Sequence, residues 1–253
     1  MSGYAFRQAG HFASARRTVE TRHEEQRAMK GRESGMPAEE DWESYFDGEA
    51  AIERIFDSGA LNGDVVDFGC GYGTFTIPAA ARMRGTLTAL DIDPAMVGLV
   101  EDKAAQEGTA NVRAVVRDFI GQGTGLPDAS QAHAMVFNLL HIEDPLGLLS
   151  EVRRILKPEG SVSVIHWRSD VPTPRGPPLE IRPSLEQCRA WLLASGFATA
   201  TAVDIADACP YHFALVASGR PQVFCSTAVA VRAAGDQQAH GPTPPCGAQR
   251  FRD

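Results

Sequence analysis

The stretch VVDFGCGYGTFT, residues 65–76, places glycines at positions 69, 71 and 73 directly behind an apolar run that contains an aspartate. Glycine at this density removes side chains where a backbone must approach something closely. The loop follows a short β-rich run and precedes TFTIPAA, which can begin a helix. This order of elements predicts a ligand crevice at the carboxyl end of a strand in a doubly wound sheet.

The chain after residue 63 alternates between short β-rich runs and stretches of helical length. The runs are DVVDF, TLTALD, VRAVVR, AHAMVFN and SVSVIHW, and two more, FATATAVDI and YHFALVAS, lie a few residues apart. Such alternation predicts parallel pairing with helices on both faces of the sheet. The closely spaced final pair predicts an antiparallel hairpin, because a parallel crossover needs more chain. We therefore expect an α/β, doubly wound, Rossmann-like sheet of seven strands, mostly parallel, with one antiparallel strand.

Composition divides the chain into three regions. Residues 1–59 form a charged arm followed by short cap helices, in which Trp42, Tyr45 and Phe46 stand at helical spacing. Residues 60–219 carry the alternating elements. Residues 220–253 are biased to Ala, Gly, Pro and Gln, which predicts a disordered tail. Two helix starts are marked inside the middle region, because Asp93 and Asp144 each supply an N-cap before a first-turn proline.

The bulk properties exclude several classes of protein. A formal net charge of -8 argues against a dedicated nucleic-acid binder, which needs a basic surface. No apolar stretch is long enough to span a bilayer and the first residues lack a signal peptide, so we expect a cytoplasmic protein without a membrane partner. The five cysteines show no C-x-x-C spacing, and carboxylates and histidines form no ligand-spaced cluster, so we expect no metal.

The spacing of the glycine loop argues against a dinucleotide site. Gly69, Gly71 and Gly73 give G-x-G-x-G, and Thr74 stands where the G-x-G-x-x-G fingerprint has its third glycine. Asp67 precedes the first glycine by two residues, and its carboxylate would repel a pyrophosphate. A carboxylate at this position suits a cationic ligand.

At this point the sequence resembles the class I S-adenosylmethionine-dependent methyltransferases, in particular small-molecule members of the type 11 kind. The family's first motif looks like VVDFGCGYG, and its second strand ends in an acidic residue like that of LTALDIDP. The segments RDF, FNLLHIEDP and VRRILKPEGSV follow in the family's order, and the resemblance covers roughly residues 60–218. It implies S-adenosyl-L-methionine as the methyl donor.

The resemblance also implies a role for each residue around the crevice. Asp67 would face the amino group of the methionine moiety, while Gly69 and Gly71 let the backbone lie against the cofactor and Gly73 shapes the turn. Asp91 would accept hydrogen bonds from the ribose hydroxyls. The other implied cofactor contacts are Ile92 and Asp118 at the adenine with Phe119 adjacent, and Asn138 and Leu139 beneath the transferred methyl group. Asp118 also suits a simple loop start.

The sequence says less about the part of the site that binds the methyl acceptor. FNLLHIEDP lacks the prolines and the aromatic residue of the D/N-P-P-aromatic motif found in methyltransferases that act on nucleobase amines or glutamine amides. His141 is the candidate general base, although a histidine here can equally pack or cap. The segment HWRSDVPTPRGPPLEIRP, residues 166–183, presents Arg168, Arg175 and Arg182, which could clamp an anion or could pair with nearby acids.

The resemblance therefore predicts a methyltransferase that acts on a small molecule, and the three arginines add the hypothesis that this molecule is anionic. Two alternatives remain open at this stage: a non-catalytic module that binds S-adenosylmethionine, and a nicotinamide-dependent oxidoreductase built on the same sheet. A protein acceptor also stays open, and the oligomeric state is not readable from the sequence.

Overall fold

The computed structural model describes residues 38–56 and 61–219, and within them nine strands alternate with seven α-helices. The strands are β1 (Leu61–Asn62), β2 (Val65–Phe68), β3 (Met83–Arg84), β4 (Leu87–Asp91), β5 (Val112–Val116), β6 (Gln131–Phe137), β7 (Leu156–Trp167), β8 (Thr199–Val203) and β9 (His212–Ser218). The helices are α1 (Glu39–Glu43), α2 (Gly48–Ile55), α3 (Thr76–Ala81), α4 (Pro94–Glu107), α5 (Phe119–Gln122), α6 (Pro145–Ile155) and α7 (Leu185–Ala194), with a 3-10 turn at Leu179–Ile181.

Seven strands form the main sheet in the order β5–β4–β2–β6–β7–β9–β8. The pairs from β5 to β7 are parallel, and β9 runs antiparallel to both β7 and β8. The predicted α/β sheet of seven mostly parallel strands with one antiparallel strand is confirmed, including the terminal hairpin. The strand order reverses at β2, because β4 and β6 lie on opposite sides of it, so the carboxyl ends of these three strands border the crevice where such sheets bind ligands.

The core fills both faces of the sheet because neighbouring residues of each strand point to opposite sides. On one face, Val65 of β2 belongs to an apolar cluster with Phe75 and Ile52. On the other face, Val66 and Phe68 pack with the buried side of α6. Asp67 shares the face of Val65, which places its carboxylate inside the apolar layer next to α3.

Helices α1 and α2 pack against the glycine loop. The Trp42 indole donates a hydrogen bond to Thr74 Oγ1 at 3.1 Å, and Trp42 and Phe46 pack at a tilt with ring centroids 4.7 Å apart. A Cβ added to Gly48 would lie 2.2 Å from the Thr74 carbonyl oxygen, so the first turn of α2 approaches the loop as only glycine permits. The aromatic residues of the cap helices are thereby part of the core that supports the site.

Two details of the elements differ from the sequence prediction. The strand expected at residues 161–167 already begins at Leu156, directly after α6, and its pairing with β6 shifts register between Gln131 and His133. An additional two-stranded sheet joins β1 and β3. The predicted N-caps are confirmed, because Asp93 accepts from Ala95 N and Asp144 from Gly147 N.

The expectations for the charged arm before residue 38 and for the tail 220–253 lie outside the described residues. Within the described part of the chain, no helix has the length and apolar composition needed to cross a membrane.

Candidate cofactor and acceptor site

The glycine loop turns sharply at the carboxyl end of β2. Gly69, Gly71 and Gly73 have φ values of 70°, 50° and 78°, a backbone region that side-chain-bearing residues rarely adopt. The amides of Gly69 and Cys70 both donate to the Leu90 carbonyl, at 2.8 and 3.0 Å, so the loop is fixed to the end of β4. A Cβ on Gly69 would lie 3.3 Å from Leu139 Cδ2, which shows how closely the loop approaches the segment after β6.

The Asp67 carboxyl group is 3% exposed and accepts a 2.6 Å hydrogen bond from Thr76 Oγ1. Burial raises the pKa of Asp67 to about 7; the Thr76 hydrogen bond opposes this rise, and the nearby Asp91 charge adds to it. A cationic ligand beside Asp67 would favour the ionised form of its carboxyl group. The apolar surroundings of Asp67 offer no charge to stabilise an ionised carboxylate, and a cationic ligand would supply one.

Asp91 ends β4 and faces the same crevice. Its Oδ2 accepts from the Gly71 amide at 2.9 Å, and its Oδ1 accepts from the Asp93 amide at 3.0 Å. Each carboxylate oxygen can accept a second hydrogen bond, so both remain available to a ligand with two donors. The Asp91 side chain thus holds the glycine loop in place and also offers hydrogen-bond acceptors to a ligand.

The residues expected at the adenine lie further along this edge. Ile92 is half-buried after β4. Asp118 caps α5 by accepting from the Gly121 amide at 2.9 Å, so its carboxylate has a local structural role. Phe119 is buried against Phe68, with ring centroids 5.3 Å apart, so its ring is a core group at the base of the crevice.

Asn138 and Leu139 follow β6 in an unusual conformation. Asn138 has a φ of 57°, and its buried Oδ1 finds no hydrogen-bond partner among the described residues. A non-glycine residue in the left-handed region with an unpaired buried oxygen is typical of a functional site. The backbone amide of Asn138 donates to the Ile165 carbonyl at 2.7 Å, which fixes the end of β6 against β7.

His141 is half-buried beside the end of β7. Its Nδ1 lies 3.3 Å from Nε2 of His166, and Nδ1 of His166 lies 3.0 Å from the Trp167 carbonyl oxygen. Burial lowers the pKa of His141, and the nearby Arg182 charge lowers it further. Burial likewise lowers the pKa of His166 to about 3. Both rings are therefore neutral near pH 7, which a general base requires.

The three candidate arginines have different surroundings. Arg168 makes a two-point contact with Asp170, at 2.9 and 2.7 Å, as the ion-pair alternative predicts. Arg175 is exposed. Arg182 is 9% exposed and holds the preceding loop together by donating to the carbonyl oxygens of residues 168, 175 and 177 and to Thr173 Oγ1.

Arg182 also packs over Trp167, with its guanidinium carbon 5.6 Å from the ring centroid. Burial lowers the pKa of Arg182. No carboxylate forms an ion pair with Arg182 within residues 38–56 and 61–219. Arg182 is thus hydrogen-bonded only to neutral oxygens, and the nearby Glu180 charge opposes the lowering of its pKa without forming an ion pair.

Sequence reasoning did not single out His166 and His212. The antiparallel register of β7 and β9 pairs Trp167 with His212, and their ring centroids lie 4.1 Å apart. Both nitrogens of His212 are buried without a hydrogen-bond partner in the described chain. The only sequence signal was the HW dipeptide at the predicted end of β7, because the contacts depend on pairing with a distant strand.

The hydrogen-bond acceptors around the crevice fit a ligand that combines positive charge with hydroxyl groups. The Asp67 and Asp91 carboxyl groups and the unpaired Asn138 Oδ1 lie at the ends of β2, β4 and β6, and the glycine backbone leaves room for close approach. Among the described residues, no group of three or more histidine, cysteine, aspartate or glutamate side chains could hold a metal ion.

Comparison with known proteins agrees with this geometry. Residues 65–160 match the family model of a methyltransferase domain. A proposed type 11 methyltransferase from Sulfolobus solfataricus is 28% identical, with a TM-score of 0.54 over 70% of this chain and 94% of that one. An S-adenosylmethionine-dependent methyltransferase from Aquifex aeolicus is 24% identical, with a TM-score of 0.58 over 68% and 89%.

A third solved structure is the geranyl diphosphate C-methyltransferase of Streptomyces coelicolor A3(2), in complex with Mg2+, geranyl diphosphate and S-adenosyl-L-homocysteine. It is 18% identical, with a TM-score of 0.56 over 68% of this chain and 77% of that one. None of the curated proteins compared with the chain matches it significantly. Residues 65–160 thus match a methyltransferase domain, and together with the fold these matches indicate an S-adenosylmethionine-dependent methyltransferase.

Proposed function

We propose that this methyltransferase acts on a small anionic molecule bound between the loop after β6 and residues 168–183. The observation that carries the proposal is Arg182, a buried cation that forms no ion pair with a carboxylate in the described chain. Burial is the main cause that lowers the pKa of His141, His166 and His212, and the Arg182 charge lowers each of them further, so the charge acts at this end of the sheet. An anionic group of the acceptor would compensate this charge.

The groups at the ends of β2, β4 and β6 would hold the cofactor. Asp67 would face the ammonium group, Asp91 would accept from the ribose hydroxyls, and the backbone of Gly69 and Gly71 would lie against the ligand. The cofactor side of the site would be completed by Ile92, Asp118 with the adjacent Phe119, Asn138 and Leu139. Gly73 would shape the turn of the glycine loop. When bound, S-adenosylmethionine supplies a methyl group that an aligned nucleophile takes in an in-line displacement.

His141 serves as the general base for an acceptor whose nucleophilic atom carries a proton. Three features support this role: the position of His141 three residues beyond Asn138, its half-buried ring and its neutral form near pH 7. The base does not need to reach the cofactor, because it takes the proton from the nucleophilic atom of the acceptor, which receives the methyl group.

Arg175 is the arginine that we assign to the incoming anion, with Arg182 supplying the fixed charge behind it. Arg168 contributes less, because Asp170 already neutralises it. The Streptomyces coelicolor structure is a precedent for this fold holding an anionic substrate, since it contains geranyl diphosphate. The tail and the charged arm have no assigned role.

The cofactor half of the proposal is tested by titration calorimetry with S-adenosylhomocysteine. Asp91→Ala should weaken binding by about 2–3 kcal/mol, the scale of hydrogen bonds to a charged group. Transfer of label from methyl-labelled donor into the small-molecule fraction of a cell extract tests the reaction. Label that enters only the protein fraction would refute a small-molecule acceptor.

The anion half is tested with pyrophosphate as the probe, titrated into the protein in complex with S-adenosylhomocysteine. Arg175→Ala should weaken pyrophosphate binding at least about fivefold, the scale of one lost charge-assisted contact. The matched control is Arg84→Ala, which removes the same charge from an exposed position on β3. Equal affinities in all three proteins would show that no anion site exists there.

A further inference from the structure

The contacts around His166 determine which nitrogen of His141 carries a proton. His166 is the next-to-last residue of β7, and its side chain is 0% exposed. Its Nδ1 lies 3.0 Å from the carbonyl oxygen of Trp167. A carbonyl oxygen can only accept, so Nδ1 of His166 carries the hydrogen.

The second nitrogen of His166 is then an acceptor. A doubly protonated ring would place a further charge in a buried position beside Arg182, so the ring is neutral. With its hydrogen on Nδ1, His166 presents a lone pair at Nε2 toward His141 Nδ1, 3.3 Å away. The contact becomes a hydrogen bond only if His141 carries its own hydrogen on Nδ1.

We propose that His166 is a positioning residue that holds His141 in the Nδ1-protonated tautomer and so leaves Nε2 of His141 free to accept a proton. The proposal rests on the assignment of His141 as the general base. It adds a series of hydrogen bonds that runs from the Trp167 carbonyl through His166 to His141. Neither histidine is fixed by a carboxylate in the described structure; the orientation comes from a backbone oxygen at the end of β7.

The proposed step transfers one proton from the acceptor to His141. As the acceptor's nucleophilic atom forms its bond to the methyl group, its bond to hydrogen breaks and the proton goes to Nε2 of His141. The resulting imidazolium keeps donating from Nδ1 to the lone pair of His166, which stabilises the charge. The half-exposed edge of His141 then returns the proton to solvent.

The tautomer can be measured without knowing the acceptor. Protein labelled with 15N in histidine, in complex with S-adenosylhomocysteine, is examined by long-range 1H–15N correlation NMR, and His141→Gln assigns the His141 signals. In the wild type, His141 and His166 should both appear as neutral Nδ1–H tautomers. An Nε2–H tautomer of His141 in the wild type would overturn the proposal outright.

Substitutions at His166 distinguish a role in orienting the His141 ring from a role in core packing alone. His166→Phe keeps a ring but removes the acceptor, so the His141 signals should move to the Nε2–H form. His166→Gln retains an acceptor oxygen near the place of Nε2 and should keep the Nδ1–H form. A phenylalanine variant with unchanged His141 signals, or a glutamine variant that loses the Nδ1–H form, would contradict the proposal.

The matched control is His133→Gln. His133 is also a buried strand histidine, bonded through its ring nitrogens to Ser161 Oγ at 2.7 Å and Ser163 Oγ at 2.9 Å, and its replacement should leave His141 unchanged. If His166→Phe does not fold, the wild-type and glutamine spectra still decide the question. Failure of the proposed function appears separately, as absent cofactor binding or absent methyl transfer with the tautomer intact.

Discussion

The ionisation of Asp67 predicts that cofactor affinity depends on pH. In the free protein burial raises the pKa of Asp67 to about 7, so near neutrality its carboxyl group is about half protonated. A ligand ammonium group beside it binds the ionised form. Binding should therefore strengthen as the pH rises toward 7 and release a proton below it.

The magnitude follows from the position of this pKa. Affinity for S-adenosylhomocysteine should fall about tenfold, or about 1.4 kcal/mol, for each pH unit below 7. At pH 6 the binding of one ligand should release about 0.9 proton. Thr76→Val removes the hydrogen bond that opposes the rise, which should move the midpoint upward by about one to two pH units.

Titration calorimetry between pH 5.5 and 7.5 measures both quantities, and buffers of different ionisation enthalpy give the number of protons released. The ligand's own ammonium group stays mostly protonated up to pH 7, because α-amino groups titrate at about 8. Asp67→Asn should make the profile flat, and Thr88→Val, a buried threonine on β4, serves as the control for Thr76→Val. The reasoning is refuted if wild-type affinity does not change with pH, or if Thr76→Val keeps the wild-type midpoint.

Two further predictions concern stability. Burial lowers the pKa of His133 and of His166 to about 3, so below pH 6.5 the unfolded chain binds more protons and each histidine reduces the free energy of unfolding by about 1.4 kcal/mol per pH unit. Burial also lowers the pKa of His212 well below its usual value, so three histidines act in this direction, with His141 adding to them. Asp67, with its pKa raised, offsets one of them down to about pH 4, which leaves a net loss of at least about 2.8 kcal/mol per pH unit. Urea unfolding at pH 5.5 and 4.5 measures this loss, and a constant stability would contradict it. Gly48→Ala should cost about 1–3 kcal/mol, because the added Cβ meets a backbone oxygen at 2.2 Å. Gly98→Ala in α4, where the added Cβ meets nothing within 4 Å, should be neutral or stabilising in the same unfolding measurement.

Local sequence predicted the elements because each depends on neighbouring residues. The N-caps at Asp93 and Asp144 lie two or three residues from the amides that they bind, and the glycine loop takes its shape from residues within it. The antiparallel hairpin followed from the short distance between its two strands. The β1–β3 sheet was missed because it pairs two-residue segments that carry no periodic pattern.

The acceptor side could not be predicted in the same way. The sequence presented Arg168, Arg175 and Arg182 as equivalent, whereas the fold pairs the first with Asp170, exposes the second and buries the third over Trp167. These differences depend on where a proline-rich loop folds back on itself. No spacing rule relates a guanidinium group to four oxygens of that loop.

The sequence by itself determined that this chain forms a seven-stranded α/β sheet with a glycine loop suited to a cationic ligand, because strand periodicity, capping and glycine spacing act over a few residues. Only the tertiary structure decided that His141 contacts His166 and that Arg182 is buried among neutral oxygens. The first depends on the pairing of β6 with β7, which brings together side chains 25 residues apart. The second depends on a loop that folds back on itself, so that Arg182 donates to oxygens 5 to 14 residues away.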